Sequence, residues 1–161
     1  MHIVEPDQTP MAVYRQATLL GITAGLRSMM PGALLAWSSD SATQKTKDIL
    51  ALLAIGEIIG DKLPFTPGRL QKGSLTGRLV AGAVSGAILC RRHQLPVIQG
   101  AWRGAVGAAL GSVAGYSYRL VTSDLTGVSD LVWALLEDGT AFLLGANATG
   151  LIQPVDAATQ S

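Results

Sequence analysis

The sequence predicts an all-α protein, a polytopic helical membrane bundle with four or five membrane segments, two of them short or broken. Three observations lead to this fold class. Only 14% of the 161 residues are charged, against about 25% in a typical soluble domain. The chain contains 19 glycines but only 5% aromatic residues, a composition that suits helices packed closely in a bilayer. Several apolar runs approach bilayer length, which favours a membrane bundle over a soluble bundle rich in alanine and glycine.

Composition also limits the function classes. The formal net charge is +1, and no basic patch with interleaved aromatic residues indicates nucleic-acid binding. Cys90 is the single cysteine, so no intrachain disulfide is expected. The two histidines, His2 and His93, form neither an HExxH motif nor a cluster of metal ligands. The sequence therefore predicts no metal, no cofactor and no catalytic residue.

The first apolar segment runs from Met11 to Trp37 and follows a polar tail of residues 1–10. It is long enough to cross a bilayer as a helix, but it carries Arg27 and Pro31 in its middle third. Proline removes a helical hydrogen bond and disfavours helical geometry at the residue before it. We therefore expect a kink or a break near residues 28–31.

Two shorter apolar runs follow, from Ile49 to Gly60 and from Leu79 to Cys90. A helix of this length spans only about 18 Å, which is less than the ~30 Å hydrocarbon core. Each run is therefore either a half-helix or part of a span that flanking residues complete, and the two runs together are candidates for a re-entrant pair. The polar or Gly- and Pro-containing residues 38–48 and 65–77 are predicted to be loops.

Glycines recur at four-residue spacing in the second half of the chain. Gly82 and Gly86 form a GxxxG motif, and Gly107, Gly111 and Gly115 form a longer ridge. Small residues at this spacing let helices approach closely, so we expect another helix backbone to lie against the ridge. The last apolar segment, residues 131–152, precedes a polar tail of residues 153–161, which gives a single helical membrane domain over residues 11–152.

Ionisable residues within or beside the apolar runs are the candidate site. Each one costs about 2.5–3.5 kcal/mol at the centre of a bilayer, so we expect them to converge in the interior of the bundle. The set consists of Arg27, Glu57, Asp61, Lys62, Arg69, Glu137 and Asp138. Because arginine stays protonated at ordinary pH, the sequence predicts that Arg27 pairs with Glu57 or Glu137.

Two interpretations of this site stay open. It is either a structural ion-pair network that fixes the register of the helices, or a polar cavity that binds an ion, a proton or an anionic group. An enzyme that uses a carboxylate on a lipid substrate is a third alternative.

Positive charges do not decide the orientation in the membrane. With five spans the basic residues divide evenly, with Arg15, Lys62, Arg69, Lys72 and Arg78 on one side and Lys45, Lys47, Arg91, Arg92 and Arg103 on the other. Only Arg119 breaks the tie, so the rule that positive loops stay cytoplasmic gives no firm orientation.

Five motifs resemble those of the domain-of-unknown-function 4126 family, a group of small bacterial membrane proteins. They are GLRSMMP at residues 25–31, GEIIGDKLPFTPGR at 56–69, GR at 77–78, AGYSYR at 114–119 and LLEDG at 135–139. Met30 departs from the threonine expected before the proline. The resemblance implies an integral-membrane helical protein and supplies no activity.

Taken together, these features lead us to expect a multi-pass protein of the bacterial cell (inner) membrane, with membrane lipids as partners and with homo-oligomers as its assembly. The expected function is transport or conduction of a small solute or ion through the polar intramembrane site. The alternative is a non-transporting membrane scaffold or lipid-interacting protein.

Overall fold

The computed structural model of the chain describes residues 9–40, 42–60, 72–125 and 130–152. These residues form six helices and no strand, which confirms the all-α class. The helices are α1 (Pro10–Leu26), α2 (Met30–Trp37), α3 (Gln44–Gly60), α4 (Lys72–Arg92), α5 (Val97–Leu125) and α6 (Asp130–Ala148). Within the described part of the chain, no helix combines the length and the apolar character needed to cross a membrane.

The first apolar segment is broken between α1 and α2. Arg27 has an extended backbone, with φ −142° and ψ 109°, and its N–H closes the last turn of α1 on the carbonyl of Thr23 at 2.7 Å. Pro31 lies in the first turn of α2. A proline there loses no helical hydrogen bond, because the N–H groups of a first turn have no intrahelical partner. Pro31 therefore starts a new helix instead of kinking the old one.

α2 turns back along α1. Its first residue, Met30, belongs to a buried cluster with Leu26 at the end of α1. Leu35, one turn later, belongs to a cluster with Val13 and Ala17 from the first half of α1. The chain therefore folds back at residues 27–29, within the first apolar segment. Whether the runs Ile49–Gly60 and Leu79–Cys90 form a re-entrant pair stays a prediction, since residues 61–71 between them lie outside the described part of the chain.

α1, α4 and α5 form the core of the bundle. Gly82 and Gly86 of α4 lie against Gly100 and Gly104 of α5 with the helices antiparallel. An added Cβ at any of these four glycines would overlap a backbone oxygen of the facing helix. The two helices therefore approach as closely as their backbones allow, as small residues permit.

A neighbouring face of α5 packs on α1. Gly107 and Gly111 lie against the backbone of α1 at Thr18 and Ile22. Gly115, the third glycine of the predicted ridge, is half-buried. The contacts follow the chain in the same direction on both helices, so α1 and α5 are parallel.

The remaining helices surround this core. α6 packs on α1, with Gly145 against Thr23 and Leu34, and α3 packs on α2. α3 and α4, with 17 and 21 residues, are longer than the apolar runs within them. They extend into the predicted loops, because flanking polar residues such as Gln44 and Lys45 are good helix formers. The side chain of Thr43 caps α3 by accepting the N–H of Thr46 at 3.4 Å.

Large apolar side chains cover the outward faces of the helices. Leu52 of α3 is 67% exposed, and Ile98 and Trp102 of α5 are 82% and 72% exposed. The others include Ile55 and Ile59 on α3, Val80 and Val84 on α4, Leu110 and Val113 on α5, and Leu136, Phe142 and Leu143 on α6. By contrast, the largest fully buried side chain is that of Arg27. The bundle thus carries apolar groups outside and a charge inside.

Candidate functional site

The helix break, residues 27–29, is the point at which the polar contacts of the bundle converge. The side chain of Arg27 is 1% exposed and forms an ion pair with Asp138 of α6, which is 13% exposed. Nε of Arg27 donates to Oδ1 of Asp138 at 2.5 Å, and Nη2 contacts the same oxygen. An arginine buried this deeply requires a compensating anion, and Asp138 supplies it.

A second carboxylate, that of Glu57 on α3, binds the other side of the break. Its Oε1 accepts the backbone N–H of Ser28 at 2.9 Å and the hydroxyl of Ser28 at 2.5 Å. Its Oε2 accepts the backbone N–H of Met29 at 2.8 Å. These N–H groups precede α2 and have no helical partner, and the amino end of a helix carries partial positive charge. Glu57 therefore caps α2 from a different helix.

The carbonyl end of α1 is compensated in the same way. The carbonyl oxygen of Gly25 accepts from Nη1 of Arg78 on α4 at 2.5 Å and from the hydroxyl of Ser112 on α5 at 3.3 Å. The carboxyl end of a helix carries partial negative charge, so a guanidinium is favourable there. Each pole of the break thus faces an opposite charge.

The break lies at about half the depth of the bundle. Asp138 is near the middle of α6 and Ser112 is near the middle of α5. Two guanidinium groups and two carboxylates therefore gather around residues 25–29, contributed by the break itself and by α3, α4 and α6. Such a cluster is balanced in charge, and its carboxylates offer oxygens to a proton or a cation while its guanidinium groups offer donors to an anion.

α2 is held at its far end as well. Nη2 of Arg92, the last residue of α4, donates to the carbonyl oxygen of Leu35 at 2.7 Å, and Nη1 donates to the hydroxyl of Ser38 at 3.1 Å. This eight-residue helix is thus placed between a carboxylate at its amino end and a guanidinium at its carboxyl end, the arrangement that its dipole favours.

Three of the seven predicted site residues come together at the break: Arg27, Glu57 and Asp138. The predicted pairing of Arg27 with Glu57 or Glu137 was wrong for Glu57, because Asp138 binds Arg27 whereas Glu57 binds the backbone of the break. Asp61, Lys62 and Arg69 lie outside the described residues. Glu137 belongs to α6, but its side chain is not among the described ones.

The candidate site that the sequence predicts does not include Ser28, Arg78, Arg92 and Ser112. Arg78 had a signal, since it stands at the entrance of an apolar run and within the GR motif. Ser28 and Ser112 had none, because serine is common beside glycine in tightly packed helices. Within the described part of the chain, no group of three or more His, Cys, Asp or Glu residues is placed to hold a metal ion.

Comparison of the chain with protein-family models, with curated proteins and with solved structures gives no match. Its place in the domain-of-unknown-function 4126 family therefore stays a prediction, and the argument for function depends on the site itself.

Proposed function

We propose that the chain is a small integral-membrane protein in which the helix break forms a polar site for the passage of a small solute or ion. The observation that carries this proposal is the contrast between Arg27, at 1% exposure in the middle of the bundle, and the exposed apolar side chains around it. In water such a distribution exposes large apolar faces that monomeric proteins rarely show. In a bilayer it is the favourable one.

Support for a membrane location comes from the side chains that face outward and not from the average hydropathy of a helix. Glycines such as Gly82, Gly86, Gly104 and Gly107 lower that average in α4 and α5, yet they lie between helices. The proposal includes a multi-pass location in the bacterial inner membrane, with lipids and further copies of the chain as neighbours.

Support for transport comes from the break. Discontinuous helices that turn back inside the bundle leave backbone groups near mid-depth, and transporters build substrate and ion sites from such groups. Here the break presents N–H groups at Ser28 and Met29 and a carbonyl at Gly25, each next to an ionisable side chain from another helix. A proton or ion that displaced one of these side chains would find compensating polar groups already in place.

A second function, a non-transporting membrane scaffold, is favoured by one specific observation. Both oxygens of Glu57 are already occupied by donors from the break. A carboxylate used in this way stabilises the fold of the hairpin and needs no ligand.

Glu57→Gln distinguishes the two functions. The variant and the wild type are reconstituted into liposomes that contain pyranine, a pH-sensitive dye, and a potassium gradient is applied so that the dye reports on proton flux. Osmotic light scattering with glycerol and urea reports on the flux of neutral solutes. For a transport site we expect flux in the wild type, a folded Glu57→Gln protein and at least a tenfold lower flux. Asp48→Asn is the matched control, since Asp48 lies on the same helix, is exposed and, among the described residues, forms a side-chain hydrogen bond only with Gln44.

Two other outcomes would assign the scaffold function or refute the membrane location. Wild-type liposomes that match protein-free liposomes in every assay, together with a destabilised Glu57→Gln protein, would assign the scaffold function. Recovery of the chain in the soluble fraction, without detergent and after a carbonate wash, would refute the membrane location and both functions with it.

A further inference from the structure

One end of the bundle concentrates basic side chains. Because α2 turns back, the start of α1, the end of α2, the end of α4 and the start of α5 all lie at this end, as the contacts of Arg92 with Leu35 and of Cys90 with Gly100 require. α3 begins at the same end, since only residues 38–43 separate it from α2 and its far part reaches the break. We call this region the basic end. Its basic residues are Arg15, Lys45, Lys47, Arg91, Arg92 and Arg103.

This grouping differs from the even division of basic residues between the two sides of the membrane that the sequence predicts. Arg15 was assigned to the opposite side from Arg103, yet the two share one end. Arg103 lies over the ring of Tyr14, 4.5 Å from its centroid, directly beside Arg15 in the sequence. If α1 and α2 formed one straight helix, Arg15 and Arg103 would be expected on opposite sides. Because α2 turns back along α1, both lie at the same end of the bundle.

The positive charge of the basic end is available at its surface. Arg15, Lys45 and Arg91 are exposed. None of the three side chains forms a hydrogen bond or an ion pair with another residue in the described part of the chain. Asp40 and Asp48 are the acidic residues described at this end, so among the described residues basic groups outnumber acidic ones there by six to two.

Exposed apolar and aromatic side chains lie among these charges. Trp37 is 50% exposed, Trp102 is 72% exposed, and Met11 is 70% exposed. Tryptophan beside arginine and lysine is typical of the boundary between the hydrocarbon core and the headgroups. The long stems of arginine and lysine let the charge reach the headgroup layer while the aliphatic part stays in apolar surroundings.

We propose that the basic end binds the headgroups of anionic phospholipids, an inference that rests on the proposed membrane location. Charge complementarity selects this occupant, because a basic surface attracts the phosphates of an anionic leaflet. A second copy of the chain is disfavoured, since a two-fold contact through this end would place like charges opposite one another. Zwitterionic headgroups carry no net charge and lack the long-range attraction.

Quenching of tryptophan fluorescence by brominated lipids tests the proposal. The full chain with Trp133→Phe keeps Trp37 and Trp102 as reporters at the basic end and is reconstituted into phosphatidylcholine bilayers. Increasing fractions of dibrominated phosphatidylglycerol or dibrominated phosphatidylcholine are then added. We expect phosphatidylglycerol to quench at several-fold lower mole fraction, and this preference to fall as salt is raised.

Charge variants show which residues are responsible. Removing Arg15, Lys45 and Arg91 together (Arg15→Gln, Lys45→Gln, Arg91→Gln) should weaken the relative affinity for phosphatidylglycerol by about fivefold per charge. The charge-conserving set Arg15→Lys, Lys45→Arg and Arg91→Lys should retain it. Asp40→Asn with Asp48→Asn should strengthen it, because the acidic groups at this end are then neutral.

Equal quenching by the two brominated lipids, unchanged in every variant, would overturn the lipid proposal while leaving the membrane location intact. Absence of quenching by either lipid, together with a cross-linked dimer through this end, would assign the surface to a second copy instead. Failure of the chain to enter bilayers at all would instead refute the proposed membrane location, which separates the two failures.

Discussion

α1 meets its neighbours in two physically different ways along its length. Around Gly21 it touches α5 backbone to backbone, with no side chain between them. Around Arg27 it touches four other helices through hydrogen bonds and an ion pair. The contact around Gly21 depends on the absence of side chains, whereas the contact around Arg27 depends on charged side chains. The two regions should therefore respond to opposite kinds of substitution.

The largest effect is expected from removing a charge at the break. Asp138→Leu removes the carboxylate that forms an ion pair with the buried guanidinium of Arg27, and breaking a buried pair costs about 3–5 kcal/mol in the free energy of unfolding. Thermal and denaturant unfolding of the purified chain measure the loss. The double variant Arg27→Met, Asp138→Leu should recover at least half of it, because no uncompensated charge is left. Additive losses in the two single variants and the double variant would contradict the pairing.

A smaller effect is expected from adding volume to the glycine contact. A Cβ at Gly104 would overlap the backbone oxygen of Gly82, and neither backbone can move without displacing its helix. Gly104→Ala should therefore lower the free energy of unfolding by about 1–3 kcal/mol. Gly139→Ala is the matched control: nothing lies within 4 Å of its added Cβ, so it should gain up to about 1 kcal/mol from helix propensity. The same sign for both variants would mean that the glycines act through propensity and not through packing.

The smallest effect on stability is expected from removing one hydroxyl at the break. Ser28→Ala removes the hydroxyl that donates to Glu57 and leaves both backbone donors in place, for an expected loss of about 1 kcal/mol. Thr140→Ala removes an exposed hydroxyl that, in the described part of the chain, bonds only to the carbonyl of Leu136 on its own helix, and the unfolding midpoint of this variant should stay within the error of the measurement. A Ser28→Ala loss as large as that of Asp138→Leu would mean that Glu57, and not Asp138, carries the electrostatics of the break.

Much of the local structure follows from the sequence. Apolar runs, glycine spacing and the proline at position 31 predict the helices, their close contacts and a break near residues 28–31. These features depend on residues near one another in the chain, so local chemistry determines them. The bounds of α3 and α4 were predicted too short, because the apolar run marks the buried part of a helix and not its end.

The choice of partner for Arg27 depended on tertiary structure. Asp138 reaches Arg27 because of the rotation of α6 about its own axis, and the contact of Gly145 with Thr23 and Leu34 sets that rotation. Each residue along a helix is turned by about 100° from the one before it, so the face that a residue presents is decided only when the helices pack.

The sequence by itself determined that this chain is all-helical, that its first apolar segment is interrupted and that ionisable residues lie within apolar runs. The tertiary structure alone decided that α2 returns along α1, that Asp138 and not Glu57 balances Arg27, and that Arg15 joins Arg103 at one end. The physical reason is the range of the interactions. Capping, proline geometry and periodicity act within a few residues, whereas the pairing of charges 111 residues apart depends on how every intervening helix is oriented.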